Sequence, residues 1–341
     1  MMISMLAAAT LAVSLLLTGL LRRYALARSV LDIPNERSSH KVPTPRGGGV
    51  AIVISFLAAL VVLVLAGRLA WPAFWALCGA GGGVALIGFL DDHGHIAARW
   101  RLLAHFCGAG WALFWLQGFP AMIFLGQRCD LGWIGHLLAA VGLVWLLNLY
   151  NFMDGIDGIA GIEAVSVCLG GILMYLLAAP EGTHWYPALL LLAAAAGFLA
   201  WNFPPAKIFM GDAGSGFLGL VLGILAIQAA AVSPPMFFGW IILLGVFIID
   251  ATVTLVRRIL RGERFYEAHR SHAYQYASRR HGAHRPVTVA VGMINLLWLL
   301  PWALAVAGGA LDGVAGLLAA YAPLLLLAFR YKAGAGHLQD V

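Results

Sequence analysis

The sequence is poor in charge and leaves no room for a soluble domain of ordinary size. Only 11% of its 341 residues are charged and 62% are hydrophobic, and the mean hydropathy is +0.89. Soluble domains carry about 25% charged residues, so this composition excludes a soluble protein. The chain is therefore predicted to be an integral membrane protein whose first partner is the lipid bilayer.

Two further absences narrow the class. There are few cysteines, and they show neither disulfide nor metal-ligand spacing, which makes them packing residues: Cys78, Cys107, Cys129 and Cys168. The first apolar run, from Met5 to Leu21, lacks both a basic leader and a small-residue cleavage site. It is expected to be a retained anchor and not a cleaved signal.

Apolar runs separated by polar and Gly/Pro-rich stretches predict the membrane crossings. A hydrocarbon core about 30 Å thick needs roughly 20 apolar residues per helix. The sequence predicts an all-α fold of about eleven transmembrane helices, near 3–21, 49–66, 71–90, 99–117, 132–150, 159–179, 186–202, 215–232, 236–256, 287–307 and 314–330. Residues 1–341 are predicted to form one transmembrane domain, with polar loops at 22–48, 91–98, 151–158, 203–214 and 257–286.

The basic residues predict the orientation. If the 22–48 loop is cytoplasmic, nineteen of the 21 Lys and Arg residues lie on that side or at its helix ends, and only Arg68 and Arg128 fall outside. Basic residues concentrate on the cytoplasmic side, so the N-terminus is predicted to be periplasmic and the C-terminus cytoplasmic, in a bacterial inner membrane. The net charge of +6 then faces anionic headgroups and needs no nucleic-acid partner.

Acidic residues gather near the predicted cytoplasmic ends of four spans. In "GFLDDHGH", Asp91 and Asp92 end a helix, where the dipole disfavours anions unless a bound cation or a substrate proton offsets the cost. The alternative is the start of a solvated loop. Glu163, by contrast, follows several residues inside the next helix and could lie deeper.

Two further motifs carry carboxylates beside glycines. In "NFMDGIDG", Asp154 and Asp157 are three residues apart and lie on one side of a turn, although Asp157 could instead cap the helix beginning near Ile159. In "NFPPAKIFMGDAGSGFLG", Asn202, Lys207 and Asp212 precede a glycine-rich helix start. Such a start suits phosphate, and the carboxylate suits magnesium.

The 257–286 loop is rich in arginine, histidine and aromatic residues. Arginine binds diphosphate oxygens bidentately and aromatic rings stack on nucleobases, whereas the plain alternative is a loop that only fixes topology. The cluster Arg270, Ser271, His272 and Tyr274 favours a binding role. Carboxylates, magnesium and basic groups on one face predict phosphoryl chemistry between a soluble diphosphate and a lipid.

Five motifs, taken in order, resemble the polyprenyl-phosphate N-acetylhexosamine-1-phosphate transferase family. They are "DIPNERSSHKVPTPRGGG", "GFLDD", "NFMDGIDGIAG", "FMGDAGSGFLG" and "DATVTLVRRILRGERFYEAHRSH". This family includes the phospho-N-acetylmuramoyl-pentapeptide transferase and the enzymes that start O-antigen or enterobacterial common antigen. The resemblance implies transfer of a sugar-1-phosphate from a UDP-N-acetylhexosamine to undecaprenyl phosphate, with release of UMP and with magnesium, or manganese in its place, as cofactor.

The resemblance also implies roles for individual residues. Asp91 and Asp92 match the paired aspartates that deprotonate or position the lipid phosphate, and Asp157 is assigned to catalysis with them. Asp154 and Asp212 are assigned to the metal. The predicted substrate-binding residues, from the resemblance and from the motifs above, are Lys41, Arg46, Asn151, Asn202, Lys207, Arg270, His272 and Tyr274.

Departures from the family pattern leave several points open. His95 stands where a third acidic residue is common, and "HAYQ" at 272–275 replaces an "H-x-H-H" pattern, which favours the O-antigen branch over the peptidoglycan enzyme. The sugar is left open, and a homodimer is compatible with the sequence. The alternatives are a secondary transporter of an anionic substrate, which uses acids near mid-membrane, and a lipid diphosphate phosphatase, which uses water as acceptor.

Overall fold

The structure is a computed structural model that describes residues 1–34, 39–40, 42–94, 96–263 and 269–335. Most of these residues are helical, as predicted. In chain order the elements are α1 (Met2–Ala27), β1 (Leu31–Asp32), β2 (Thr44–Pro45), α2 (Val50–Leu65), α3 (Trp71–His93), α4 (Ala98–Trp115), β3 (Met122–Phe124), β4 (Gln127–Cys129), α5 (Gly132–Met153), α6 (Ile159–Ala178), α7 (Tyr186–Asn202), α8 (Asp212–Val232), α9 (Pro234–Leu243), α10 (Gly245–Leu260), α11 (Ala273–His281), α12 (His284–Ile294), a π-helical turn (Asn295–Leu299), α13 (Leu300–Ala307) and α14 (Gly313–Arg330). The strands form two short antiparallel pairs, β1 with β2 and β3 with β4.

Helices occupy every stretch that the sequence predicted to cross the membrane, but they are not all equally suited to crossing it. Among the described residues, seven helices are long and apolar enough, and an eighth crossing results if α9 and α10, bent by 69°, count as one. Helices α2 and α7 are apolar but have only 16 and 17 residues. The structure therefore supports a polytopic helical membrane protein, while eleven crossings and the direction of the termini stay predictions.

Helix α8 forms the centre of the bundle. Every residue from Ala213 to Ile227 is buried, and α3 and α5 pack against it. Glycines make the contact close: a Cβ atom on Gly88 would lie 2.6 Å from the Ala213 nitrogen, and one on Gly219 would lie 2.6 Å from the Leu146 backbone oxygen. Small residues let helix backbones approach in a bilayer, where lipid tails are as apolar as the side chains.

The first polar loop is tied to the segment that precedes α8. Two backbone hydrogen bonds of 2.9 Å run from the N–H of Gly48 to the oxygen of Phe209 and from the N–H of Gly49 to the oxygen of Met210. This pairing brings Arg46 beside the first turn of α8. Two motifs about 160 residues apart in the chain thus become one structural unit.

One helix lies where the sequence analysis expected only a basic loop. The 257–286 loop contains α11, which is nine residues long. Asp250 of α10 accepts hydrogen bonds from the backbone N–H groups of Ala273 and Tyr274, each at 2.9 Å. Gln275 Oε1 accepts the N–H of His272 at 3.2 Å, in a capping box. These acceptors satisfy the first N–H groups of the helix and so allow it to form.

The glycine contact between α3 and α8 leads to a stability prediction. Gly88→Ala places a methyl group against the backbone of Ala213, and the usual cost of overpacking is about 1–3 kcal/mol of unfolding free energy. Gly83→Ala, on the same helix, meets nothing within 4 Å. It is expected to be neutral or to gain up to about 1 kcal/mol from helix propensity. Thermal unfolding in detergent measures both, and equal melting temperatures for the two variants would contradict the close contact.

Candidate active site

Asp92 connects the end of α3 to the beginning of α8. Its Oδ1 accepts the backbone N–H of Asp212 at 3.1 Å, and its Oδ2 accepts that of Ala213 at 3.3 Å. Arg46 adds an ion pair, with Nη2 2.5 Å from Oδ1. The positive end of the α8 dipole and the guanidinium offset the unfavourable position of this carboxylate at the end of α3. The protein itself thus supplies the offset that the sequence analysis assigned to a cation or a substrate proton.

Asp91 has a different set of partners. Its Oδ1 accepts the N–H of Ile96 at 2.9 Å, and its Oδ2 is paired with Arg101 in the first turn of α4. Because the connection between α3 and α4 is short, this arginine returns to the end of the bundle where Asp91 lies. Arg101 was not predicted from the sequence, because a basic residue at the edge of a span is most simply explained by membrane topology.

Asp212 lies between the two arginines. Its Oδ1 is 3.1 Å from Arg46 Nη2, and its Oδ2 is 3.6 Å from Arg101 Nη1. The carboxylates of Asp91, Asp92 and Asp212 therefore share two guanidinium groups. The arginine side chains are still 37% and 36% exposed. They can therefore also bind an anion, and the guanidinium group suits phosphate oxygens.

Asp154 faces this cluster from the end of α5. It is half-buried, and no ion pair or side-chain hydrogen bond of its carboxylate is found in the described part of the chain. Burial raises the pKa of Asp154 well above its ordinary value, and the negative charges of Asp212 and Asp92 raise it further, although Arg46 acts in the opposite direction. A cation near Asp154 and Asp212 would remove this repulsion.

Asp157 is held by both of its carboxylate oxygens. Its Oδ1 is 3.1 Å from His284 Nδ1, and its Oδ2 accepts the N–H of Ala206 at 3.0 Å. Burial alone would raise the pKa of Asp157, but the hydrogen bonds with His284 and Ala206 lower it below its ordinary value. The helix-capping role is not observed, because the N-cap of α6 is Gly158 and not Asp157. Asp157 instead joins three segments of the chain.

Arg46, Asp154, Asp157 and Asp212 line a polar cavity of about 280 Å³. Its lining includes Asp32, Ser39, His40, Arg46, Asn151, Asp154, Gly155, Asp157, Phe209, Asp212, Ser215 and Gln275. A wider cavity of about 520 Å³ shares Ser39, His40, Asp157 and Phe209 with it. Four of the five predicted polar loops thus meet at one site, and the combined space suits a ligand of nucleotide-sugar size.

Some predicted site residues lie behind this cavity and support it. Asn202 is 2% exposed, and its amide accepts the N–H of Gly158 at 3.0 Å and donates to the oxygen of Ile208 at 2.9 Å. Tyr274 is 4% exposed and donates its hydroxyl to the oxygen of Phe152 at 3.0 Å. Both residues therefore fix the backbone of the loop that carries Asp154.

Other predicted residues lie elsewhere. His272 is buried as the N-cap of α11, with Nδ1 3.3 Å from Asp250 Oδ1. Lys207 is exposed, and its ammonium lies 5.5 Å from the centre of the Trp201 ring. Arg270 is half-buried and does not line either cavity. Lys41 lies outside the described residues.

The structure adds residues that the sequence analysis did not name. His284 pairs with Asp157 from 127 positions away, and no local pattern announces such a pair. Gln275 lines the polar cavity although its neighbours in sequence, which were named, do not. The sequence feature that could have identified Gln275 is its position in "HAYQ", where the chain departs from the family's pattern. His40 also lines the cavity, with its ring 4.8 Å from that of Phe209.

The chemistry of the carboxylates at this site fits a magnesium ion. No group of three or more His, Cys, Asp and Glu side chains is arranged to hold a metal in the described ranges. Magnesium does not require one, since it keeps several waters and is commonly bound by one or two carboxylates plus substrate phosphates. Asp154 and Asp212 are two such carboxylates, and the repulsion that raises the pKa of Asp154 is what a divalent ion would relieve. Manganese prefers the same ligands.

Carboxylates and arginines gather at one end of this helical bundle, and the known proteins that the chain is similar to are transferases. The model of glycosyl transferase family 4 matches residues 73–230, a range that holds Asp91, Asp92, Asp154, Asp157 and Asp212. A probable undecaprenyl-phosphate N-acetylglucosaminyl 1-phosphate transferase of Bacillus subtilis is 30% identical, over 83% of this chain and 79% of that protein. The chain therefore belongs to this family, as the motifs predicted.

Two further relatives have related activities. A decaprenyl-phosphate N-acetylglucosaminephosphotransferase of Mycobacterium tuberculosis is 25% identical, over 83% of this chain and 76% of that protein. A phospho-N-acetylmuramoyl-pentapeptide-transferase of Moorella thermoacetica is 31% identical, over 61% of this chain and 68% of that protein. The chain is thus similar to several enzymes that transfer a phosphorylated sugar. These enzymes differ in the sugar that they are named for.

The opposite pKa shifts of Asp154 and Asp157 predict opposite effects of neutralisation. With its raised pKa, Asp154 keeps its proton longer in the folded state than in the unfolded one, so stability falls as pH rises above 3.8. Asp154→Asn is therefore expected to raise the melting temperature near neutral pH in chelator. The gain should disappear below about pH 4, where both states are protonated.

Asp157→Asn provides the matched comparison. The lowered pKa of Asp157 means that its ionised form stabilises the fold above the ordinary value of 3.8, and this contribution is lost as pH falls through the lowered pKa. The variant should lose roughly 1–3 kcal/mol near neutral pH, because its partners are left poorly satisfied. Melting curves in detergent across this pH range test both variants, and shifts of the same sign would contradict the charge arrangement.

Proposed function

We propose that the protein transfers an N-acetylhexosamine-1-phosphate from a UDP-sugar to undecaprenyl phosphate, which yields undecaprenyl-diphospho-sugar and UMP. The observation that carries the proposal is the convergence of Asp92, Asp154 and Asp212 with Arg46 and Arg101 at one end of a membrane bundle. The relatives named for polyprenyl-phosphate acceptors support it. The reaction would be the first membrane step of O-antigen or related cell-envelope polysaccharide synthesis, on the cytoplasmic face of the inner membrane.

The UDP-sugar fits the two cavities that share Phe209. The diphosphate would lie beside Asp154 and Asp212, where Arg46 faces it. Phe209 borders both cavities and offers an aromatic surface to the uracil ring. When bound with the diphosphate at these two carboxylates, magnesium would neutralise its charge and polarise the phosphorus that is attacked.

The lipid phosphate fits a smaller pocket beside the same cluster. This pocket of about 70 Å³ lies between α3, α4, α5 and α8 and combines Asp91 and Arg101 with apolar Val84, Ile87 and Leu147. Arg101 would hold the phosphate while the apolar residues meet the start of the prenyl chain. Asp212 lines this pocket and the polar cavity alike, so acceptor and donor would meet there.

The chemical step is then an in-line displacement. An oxygen of the lipid phosphate forms a bond to the sugar-linked phosphorus, and the bond from that phosphorus to the oxygen of UMP breaks. Arg46 and Arg101 would stabilise the negative charge on the transferred group, and Asp91 keeps Arg101 in place. Fixed positions of both phosphates supply the rest of the acceleration.

The transporter alternative has less support. Among the described acids, Glu163 and Asp250 are the ones buried within helices. Asp250 caps α11, and Glu163 binds Asn295. Neither lines the polar cavity, whose acids all lie at one end of the bundle. A substrate pathway across the membrane would require such groups along it.

UMP release by the purified protein tests the proposal. Undecaprenyl phosphate and a panel of UDP-N-acetylhexosamines are supplied, each with magnesium, with manganese or with chelator. Release that requires the lipid, the metal and one sugar is the expected result. Sugar-phosphate release with water in place of the lipid would indicate a phosphatase. Binding of the UDP-sugar without any turnover would favour the transporter.

Asp212→Asn tests the metal assignment. Loss of this carboxylate should lower UMP release by at least about 10²–10³-fold, the usual cost of removing a group that stabilises the transition state. The protein should remain inserted and folded. Asp130→Asn is the control, because Asp130 caps Gly132 at the other end of α5. Normal release by Asp212→Asn would disprove the role of this aspartate.

The sugar is proposed to contact Gln275. Its Oε1 accepts the N–H of His272, and its amino group, which also bonds to the Tyr274 side chain, lies at the cavity beside Gly155 with a second N–H to offer. A fixed N–H donor suits an acceptor oxygen such as an N-acetyl carbonyl or a sugar hydroxyl. Tyr274, which the sequence analysis named for this role, is buried beneath the loop and cannot contact the sugar from there.

Gln275→Glu and Tyr274→Phe separate the two roles. Gln275→Glu keeps the oxygen that caps α11 and replaces the N–H donor, so kcat/KM should change differently from one UDP-sugar to the next. Tyr274→Phe loosens the loop and should lower kcat/KM for all donors alike, by roughly the factor of 5–10 that one lost hydrogen bond represents. An equal response of all donors to Gln275→Glu would remove Gln275 from the sugar site.

A further inference from the structure

A polar pair lies inside the helical bundle, apart from the candidate active site. Glu163 is in α6 and Asn295 begins the π-helical turn after α12, and both are 0% exposed. Asn295 Nδ2 lies 2.7 Å from Glu163 Oε2 and 2.8 Å from Ser166 Oγ. The Ser166 hydroxyl in turn donates to the oxygen of Ile162 at 2.8 Å. Almost every polar atom of this group is therefore paired.

The two atoms that are not paired are both oxygens. Glu163 Oε1 and Asn295 Oδ1 are buried and have no hydrogen-bond partner among the described residues. If the carboxyl were ionised, both atoms would be acceptors and neither could satisfy the other. Unsatisfied polar groups are costly in the interior of a membrane protein. A proton on the carboxyl group would supply the donor that these two oxygens lack.

No neighbouring charge compensates an ionised Glu163. No cation forms an ion pair with it within the described ranges. The phenols of Tyr150 and Tyr321 lie close enough for a charge on Glu163 to act on them. Their hydroxyls donate to the backbone oxygens of Ala160 and Ile241, at 2.7 and 2.6 Å, and not to Glu163. An unpaired charge at this depth would be expensive.

We propose that Glu163 carries a proton and forms a neutral acid–amide pair with Asn295. The carboxyl O–H at Oε1 donates to Asn295 Oδ1, while Asn295 Nδ2 donates to Glu163 Oε2. This pair satisfies both unpaired oxygens and leaves no net charge in the bundle. If the amide of Asn295 were turned over, the same proton would still be needed on the other carboxyl oxygen.

The pair has a positioning role for the active site. It joins α6 to the helical segment that begins with α12, and the first turns of α12 bind Asp157. The first turns of α12 carry His284, which pairs with Asp157, and Thr288, which donates to the Asp157 backbone oxygen at 2.7 Å. Beyond the end of α12, Asn295 binds Glu163 of α6. The neutral pair therefore sets how far α12 lies along α6, and with it the position of Asp157.

Infrared difference spectroscopy of the full chain in detergent tests the proton directly. Wild-type protein minus Glu163→Gln should show the C=O band of a protonated carboxyl group that shifts in D₂O. Asp154→Asn serves as the control for a carboxyl group outside the bundle whose pKa is also raised, and it should leave the Glu163 band in place. A difference spectrum with only carboxylate bands would overturn the proposal.

Melting temperatures test the pairing. Glu163→Gln can donate and accept as the acid does, so its melting temperature should stay within about 2 °C of wild type. Glu163→Leu strands the amide of Asn295 and should melt well below it, and adding Asn295→Leu should restore most of the loss. A Glu163→Gln protein that fails to fold, or is as unstable as Glu163→Leu, contradicts the neutral pair.

UMP release tests the positioning role and is the one measurement here that rests on the proposed function. Glu163→Gln should keep kcat within about twofold, whereas Glu163→Leu should lower it at least about tenfold through the shift of Asp157. Equal kcat in both variants would leave Glu163 without influence on the site and would overturn that role. The spectra and melting curves need no substrate, so failure of the proposed function would not affect them.

Discussion

The rest of the site depends on the contact between Asp92 and the first turn of α8. The C-terminal end of α3 and the N-terminal end of α8 carry opposite partial charges. The Asp92 carboxylate lies between them and accepts hydrogen bonds from the N–H groups of Asp212 and Ala213. The absence of a side chain on Gly88 lets the two helices approach closely enough for these bonds. Because Arg46 pairs with Asp92 and with Asp212, the first loop is fixed by the same contact. Three separate motifs therefore have one shared reference point.

The resulting cluster is out of electrical balance. The carboxylates of Asp91, Asp92 and Asp212 face two guanidinium groups, and Asp154 adds a further carboxyl whose pKa is raised by burial and by its neighbours. On the proposed function, a bare diphosphate beside Asp154 and Asp212 would meet this excess negative charge, whereas a divalent cation bound with it would offset that charge. On the proposed function, the balance of charge thus favours the metal-bound nucleotide over the bare one as the species that enters.

The sequence predicted the location of the site better than the tasks of its residues. Apolar runs and the polar stretches between them placed the helix ends. Carboxylates at those ends were expected to share one side of the bundle, and the structure brings Asp91, Asp154 and Asp212 together there. Composition could not show that Tyr274 is buried, because an aromatic residue in a polar loop can equally well face the cavity or pack beneath the loop. Nor could it find the pair of Asp157 with His284, since contacts at long sequence separation exist only once the helices have packed.

The buried polar residues behind the cavity explain why the motifs contain more polar side chains than the substrate needs. The loop that carries Asp154 holds a carboxyl next to like charges, and that repulsion favours an open loop. Tyr274, Asn202 and Thr288 each form a hydrogen bond to the backbone of this loop or its immediate flanks, from three different helices or helix ends. Bonds of this kind contribute most where water is excluded, as it is here. A polar residue in such a motif therefore stabilises the loop against the charge repulsion within the acidic cluster, and does not have to touch the substrate to be necessary.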